Sequence, residues 1–235
     1  MKNPATFISE MAVLAVAAAA IAASPAWAGS SHNTETGAAI TLHVYDYVQA
    51  NRATLIAAEG EASPILAAAG VTAHWIDCPT SHAWAQKDPD CPTGRFDDYI
   101  VSMVPNTMAA KLPGSAQSLG VAVDSPRGPH RAYIFYQRIT DRSGGDTASA
   151  EMLAGRVMAR EIGSLLLGPQ APSQTGLMKT RWTADDLRLS AGPLLLFTPA
   201  ESRQLRTRLV QEARAREAES QTQVAKNGSA KNNNQ

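Results

Sequence analysis

The spacing of apolar positions changes several times along the chain, and each change marks an element. Residues 39–48 place Ile40, Leu42, Val44, Tyr45 and Val48 at near two-residue spacing, which predicts a strand. Residues 52–69 are Ala-rich and carry Leu55, Ile56, Ile65 and Leu66, which predicts a helix that Pro64 threatens to break and Gly70 ends. Residues 71–76 read as a second strand and 98–104, with Tyr99, Ile100, Val101 and Met103, as a third. Residues 119–123 and 131–136 form a predicted hairpin around the turn-rich run from Asp124 to Pro129. The clearest signal is 147–167, where Met152, Leu153, Val157, Met158, Ile162, Leu165 and Leu166 share one helix face before Gly168-Pro169 stops the helix. After a short apolar run at 194–197, Thr198-Pro199-Ala200-Glu201 is a strong helix start. An amphipathic, Arg-rich helix follows over 202–219, docked by Leu205, Leu209 and Val210. This mixed order predicts one α+β domain, a sheet covered by helices.

Composition adds the boundaries. Residues 1–28 have Lys2 near the start, an apolar run at 11–23 interrupted by no charge, and Ala26-Trp27-Ala28 before Gly29, the pattern of a signal peptide with an A-x-A cleavage site. Glu10 sits oddly beside that run, which is shorter than the ~20 residues needed to span a bilayer. Residues 29–38 are small and polar and predict a flexible start; 220–235, rich in Asn, Lys and Gln, predict a disordered tail. The expected compartment is therefore outside the cytoplasm, periplasmic or extracellular. Twenty-one basic residues balance twenty-one acidic ones, so charge predicts no nucleic-acid partner, and no membrane association once the leader is removed. Export gives the two cysteines, Cys78 and Cys91, a natural reading as a disulfide, with two buried thiols as the alternative. Two cysteines alone do not build a tetrahedral zinc site.

The stretch that carries chemistry is Ala159-Arg-Glu-Ile-Gly-Ser-Leu-Leu-Leu-Gly-Pro-Gln-Ala-Pro-Ser-Gln-Thr-Gly-Leu-Met-Lys-Thr-Arg-Trp182. It resembles the active-site segment of the metzincin-like, zincin-fold zinc metallopeptidases. In that family a helix carries H-E-x-x-H, a third His follows a Gly-ended leucine-rich turn, and a Gly-Leu-Met type turn lies below the metal. Residues i and i+4 share a helix face and can both ligate zinc, while the intervening Glu activates the bound water. Here Glu161 stands at the general-base position, Gly163 and 165–168 match the helix end, and Gly176 and Met178 belong to the Met-turn. The ligand positions hold Arg160, Ser164 and, near the third, Pro172. Arg is a permanently charged donor without a lone pair to give, Ser is a poor neutral ligand, and Pro has none.

Over about residues 39–216 the resemblance implies a zincin-like α+β fold with a mixed, mostly parallel sheet and an antiparallel edge strand. The sheet would pack on the long active-site-type helix, the Met-turn and the C-terminal helix, all within a domain spanning 39–219. It implies zinc as the family cofactor, and the substituted positions imply that this chain binds none. Glu161 is then vestigial, and the protein is a pseudopeptidase whose old cleft accepts an extended peptide or protein. The alternative is an active metallopeptidase or other hydrolase that uses Glu161 with an atypical metal site. A carboxylate alone deprotonates water, of pKa about 15.7, very poorly.

Other candidate chemistry is weaker. His32, His43, His74, His82 and His130 follow no zinc-ligand spacing; His74 reads as a core or edge residue, and His82 and His130 as exposed. No G-x-S-x-G elbow occurs, and Gly144-Gly145 reads as a loop. The Arg-rich terminal helix intersperses Glu201, Glu212, Glu217 and Glu219, the pattern of a solvated, ion-paired face. Oligomeric state is left open by the sequence.

Overall fold

The computed structural model describes residues 38–81, 88–91, 98–114, 116–125, 128–168, 173–183, 186 and 195–232, with side chains up to residue 222. The expected signal peptide, most of the 29–38 segment, His82 and Pro172 lie outside the described residues.

The elements are β1 (Ala38–Asp46), α1 (Arg52–Ala68), β2 (Val71–Cys78), β3 (Tyr99–Val104), α2 (Asn106–Ala109), β4 (Gly120–Val123), β5 (His130–Phe135), α3 (Tyr136–Arg142), α4 (Thr147–Leu167) and α5 (Pro199–Asn232). The five strands form one sheet in the order β2-β1-β3-β5-β4. The β1–β2, β1–β3 and β3–β5 pairs are parallel, and β4 pairs antiparallel with β5 at the edge. The fold is thus α+β with a mixed sheet and helices.

Strand alternation builds the core. Ile40, Leu42 and Val44 of β1, with Tyr99, Val101 and Met103 of β3, point into the main cluster with α1, α4 and the start of α5. The opposite face carries a smaller cluster of Tyr45, Ile100, Cys78 and Cys91. Cys78 and Cys91 are joined by a disulfide with Cα atoms 5.6 Å apart, so the covalent link ties the end of β2 to the segment that covers this face. Burial on both faces explains why β3 is buried at every position and reads in sequence as an apolar run.

Local chemistry fixes the helix ends. Asp146 caps α4, its carboxylate accepting from the Ser149 amide at 2.8 Å, and Gly168 ends it at φ +69°. At α5, the Thr198 amide donates to Glu201 Oε2 at 2.7 Å and the Glu201 amide to Thr198 Oγ1 at 3.3 Å, the reciprocal capping box expected there.

Three local expectations are corrected. Pro64 does not break α1, because the carbonyl it deprives of a partner belongs to Gly60, which is exposed and can be hydrated. The strand predicted to reach Tyr136 ends at Phe135 and runs directly into α3, where Ile139 alone is buried; a single apolar anchor leaves no period to detect. The segment read as a disordered tail from residue 220 continues α5 as helix through Asn232, with no proline after Pro199 to interrupt it. Among the described residues, no helix is long and apolar enough to cross a membrane.

Candidate functional site

Helix α4 is buried along most of its length, so polar side chains on it must find partners. Arg156, 4% exposed, donates from Nε to Glu61 Oε1 at 3.1 Å and from Nη1 to the Asp186 carbonyl at 3.1 Å, tying α4 to α1 and to the segment that follows Met178. One turn later, Arg160 Nη1 donates to Glu161 Oε1 at 2.7 Å. The pair is asymmetric: the Arg160 side chain is 29% exposed and that of Glu161 only 4%. The Arg160 guanidinium carbon lies 5.8 Å from the centroid of the Trp182 ring.

Glu161 is also engaged from the sheet. The Phe135 amide donates to the Leu119 carbonyl at 2.8 Å, one step before the Gly120–Ile134 pair. By the alternation of an antiparallel ladder, Gly120 and Ala122 then turn their amide groups away from β5, toward the free edge. The Glu161 carboxylate accepts from the Ala122 amide. Burial raises the Glu161 pKa, and the Arg160 charge, its hydrogen bond and the Ala122 amide oppose that rise. Gly120 permits this approach: a Cβ there would lie 2.8 Å from Glu161 Cγ and 2.8 Å from Val157 Cγ1.

Ser164 donates its hydroxyl to the Arg160 carbonyl at 3.0 Å. Gly176 adopts φ +71°, and a Cβ there would meet the Leu196 carbonyl at 2.6 Å. The turn is pinned by the Leu177 amide, donating to the Leu196 carbonyl at 2.8 Å, and by Trp182 Nε1, donating to the Leu177 carbonyl at 3.0 Å. Met178 lies under α4: its Sδ is 3.3 Å from the position a Cβ would take on Gly163, and the Phe197 ring is closer still. Arg160, Glu161 and Ser164 share α4, and Met178, two residues after Gly176, packs against Gly163 of the same helix; Pro172 is outside the described residues.

This neighbourhood opens on a cavity of about 420 Å³ bordered by the start of β4, by α4, by Arg142 and by residues 179–182. Lys179 is paired with Asp186, Nζ to Oδ2 at 2.8 Å, and this pairing with the Thr183 contacts holds the Asp186 carboxyl well below the usual carboxylate range. Arg142, Lys179, Arg181 and Trp182 were not legible as cavity residues, because Arg142 ends α3 while the other three lie in an irregular segment whose residues follow no period.

No family model and no curated protein matches this chain.

The donor set here does not fit a zinc ion. A guanidinium already bonded to Glu161 and a hydroxyl already spent on a backbone carbonyl offer no ligand pair one helical turn apart. Among the described residues, no group of three or more His, Cys, Asp and Glu side chains is placed to hold a metal ion. The described histidines lie elsewhere. His74 sits exposed on the edge strand β2, and His43 lies beside the disulfide, 4.0 Å from Cys78 Sγ. His130 corrects the exposed reading: its side chain is 13% exposed, stacked on Tyr99 with ring centroids 4.6 Å apart and bonded through Nδ1 to Asp124 at 2.7 Å.

Proposed function

We propose that this is an exported, periplasmic or extracellular protein on a zincin-like metallopeptidase scaffold that has lost zinc-dependent hydrolysis and uses the old cleft to bind an extended peptide or protein. The observation that carries the reading is the Arg160–Glu161 pair at 2.7 Å. It puts a fixed cation, where the family pattern calls for the first zinc ligand, against the carboxylate that pattern calls the general base. The mostly parallel sheet with its antiparallel edge strand β4, running beside α4 and the cavity, supports the scaffold assignment. So does the Gly176–Met178 turn packed beneath Gly163. The disulfide supports export, since such bonds persist in oxidising compartments.

The test is metal content and turnover of the purified full chain, measured together. The expected result is no stoichiometric zinc by mass spectrometry and no chelator-sensitive cleavage of a peptide library, with saturable binding of some library peptides. Zinc-dependent cleavage abolished by Glu161→Gln would overturn the proposal. One observation favours the rival hydrolase reading: the Glu161 carboxyl, its pKa raised by burial, borders a cavity as a general acid or base would. That reading requires hydrolysis that persists in chelator and disappears in Glu161→Gln.

A further inference from the structure

Peptide binding beside an edge strand ordinarily draws on the strand's free amide groups. Here Glu161 already accepts from the Ala122 amide and so closes the edge of β4 at that residue. That leaves the Gly120 amide as the outward donor of β4 beside the cavity, so side chains carry more of the recognition there, and their charges are unbalanced. Arg160 is neutralised by Glu161, and Lys179 by Asp186. Arg142 and Arg181 also line the cavity, both are exposed, and neither has an ion pair or side-chain hydrogen bond among the described residues. Glu161 is the one acidic side chain among the described lining residues, and its charge is taken by Arg160. Two guanidinium groups therefore face the cavity without a counter-charge among the described residues. Trp182, itself aligned by its bond to Leu177, supplies an apolar wall beside them.

We propose that this cavity selects peptides that present a carboxylate, from an acidic side chain or from a free C-terminus, and holds that carboxylate with Arg142 and Arg181. The proposal rests on the peptide-binding reading above and names the ligand chemistry. A guanidinium offers two parallel N–H donors that match the two carboxylate oxygens, which a neutral amide cannot reproduce.

The experiment uses the full chain and labelled hexapeptide pools of random sequence, with one position fixed as Asp or Asn and the C-terminus free or amidated. Fluorescence anisotropy at low ionic strength reads the affinity. Pools carrying a carboxylate should bind about tenfold tighter than the Asn, amidated pool, the ratio expected for losing one charge-assisted contact. The Asp arm and the free-terminus arm identify which carboxylate is read. The advantage should disappear in Arg142→Gln combined with Arg181→Gln, and shrink as salt is added. Both residues are exposed, so an unchanged circular dichroism spectrum and melting temperature certify folding of these variants. Equal binding of neutral and acidic pools would overturn the carboxylate proposal and leave peptide binding standing. An acidic preference that survives loss of both arginines would also overturn it, and binding by no pool would overturn both readings.

Discussion

Arg160 and Glu161 are adjacent in sequence and unequal in environment, and that inequality makes them informative to perturb. Glu161 is nearly sealed while Arg160 reaches solvent. Arg160→Ala should therefore cost about 1–3 kcal/mol, the range for stranding a buried polar group, in urea unfolding at neutral pH. Burial already raises the Glu161 pKa and Arg160 lowers it, so removing Arg160 lifts it further. A carboxyl whose folded pKa exceeds its unfolded value binds more protons when folded, and stability falls as pH rises through that window. The destabilisation should be larger at about pH 8 than at about pH 5, and Glu161→Gln in the same chain should remove that pH dependence. An Arg160→Ala cost independent of pH would show that the pair is not holding a buried carboxylate. Placing imidazoles one helical turn apart, Arg160→His with Ser164→His, should not produce tight stoichiometric zinc binding, because Pro172 offers no third ligand; equilibrium dialysis against zinc measures this.

At the scale of elements, close helix and turn contacts carry much of the specificity. Gly163 lets Phe197 and Met178 approach α4, with a Cβ falling 2.4 Å from the Phe197 ring. Gly163→Ala should cost about 1–3 kcal/mol through overpacking, read as a lowered melting temperature. A second element-level property belongs to α1 and β2. Glu59 on α1 has its pKa raised to about 7, first by burial and then by the Asp77 carboxylate of β2, with Arg52 opposing. Its ordinary value is 4.5, so the folded chain binds the extra proton between the two values and loses stability as pH rises from about 4.5 to about 7. Glu59→Gln should flatten the stability profile across that window, as denaturant midpoints at several pH values would show. An unchanged slope would mean that Glu59 titrates like a solvated carboxyl.

For the whole molecule, the terminal helix divides into a docked part and a projecting part. Leu205 and Leu209 are buried, and Tyr99 donates its hydroxyl to Glu212 at 2.8 Å, so burial and that carboxylate both push the Tyr99 pKa up. From Ala213 to Thr222 every residue is exposed, and none enters the core clusters. Leu205→Ala should cost about 2–5 kcal/mol, as core truncations do. Deleting the chain after Arg216 should leave the unfolding midpoint nearly unchanged; a large drop would assign the projecting part a structural role. Opening the Cys78–Cys91 link should cost about 3 kcal/mol by the chain-entropy model for so short a loop, and a reduced sample measures it directly.

Sequence alone determined what depends on neighbours along the chain. The period of α4, the Thr198–Glu201 box, the hairpin turn between β4 and β5 and the Gly168 stop are local interactions, and each is where the pattern put it. That Arg160 and Ser164 are not metal-ligating residue types was equally plain, because side-chain chemistry travels with the letter. Tertiary structure decided everything that depends on distant partners. It set the sheet order β2-β1-β3-β5-β4 and turned His130 inward against Tyr99. It brought Gly120 and the Ala122 amide onto Glu161, and gathered Arg142, Arg160, Arg181 and Trp182 around one cavity. Packing is a sum over contacts between remote segments, and no local spacing records it. For the same reason the charge at residue 160 was readable from the sequence, whereas its neutralisation by Glu161, which leaves Arg142 and Arg181 as the cavity cations without a counter-charge among the described residues, was not.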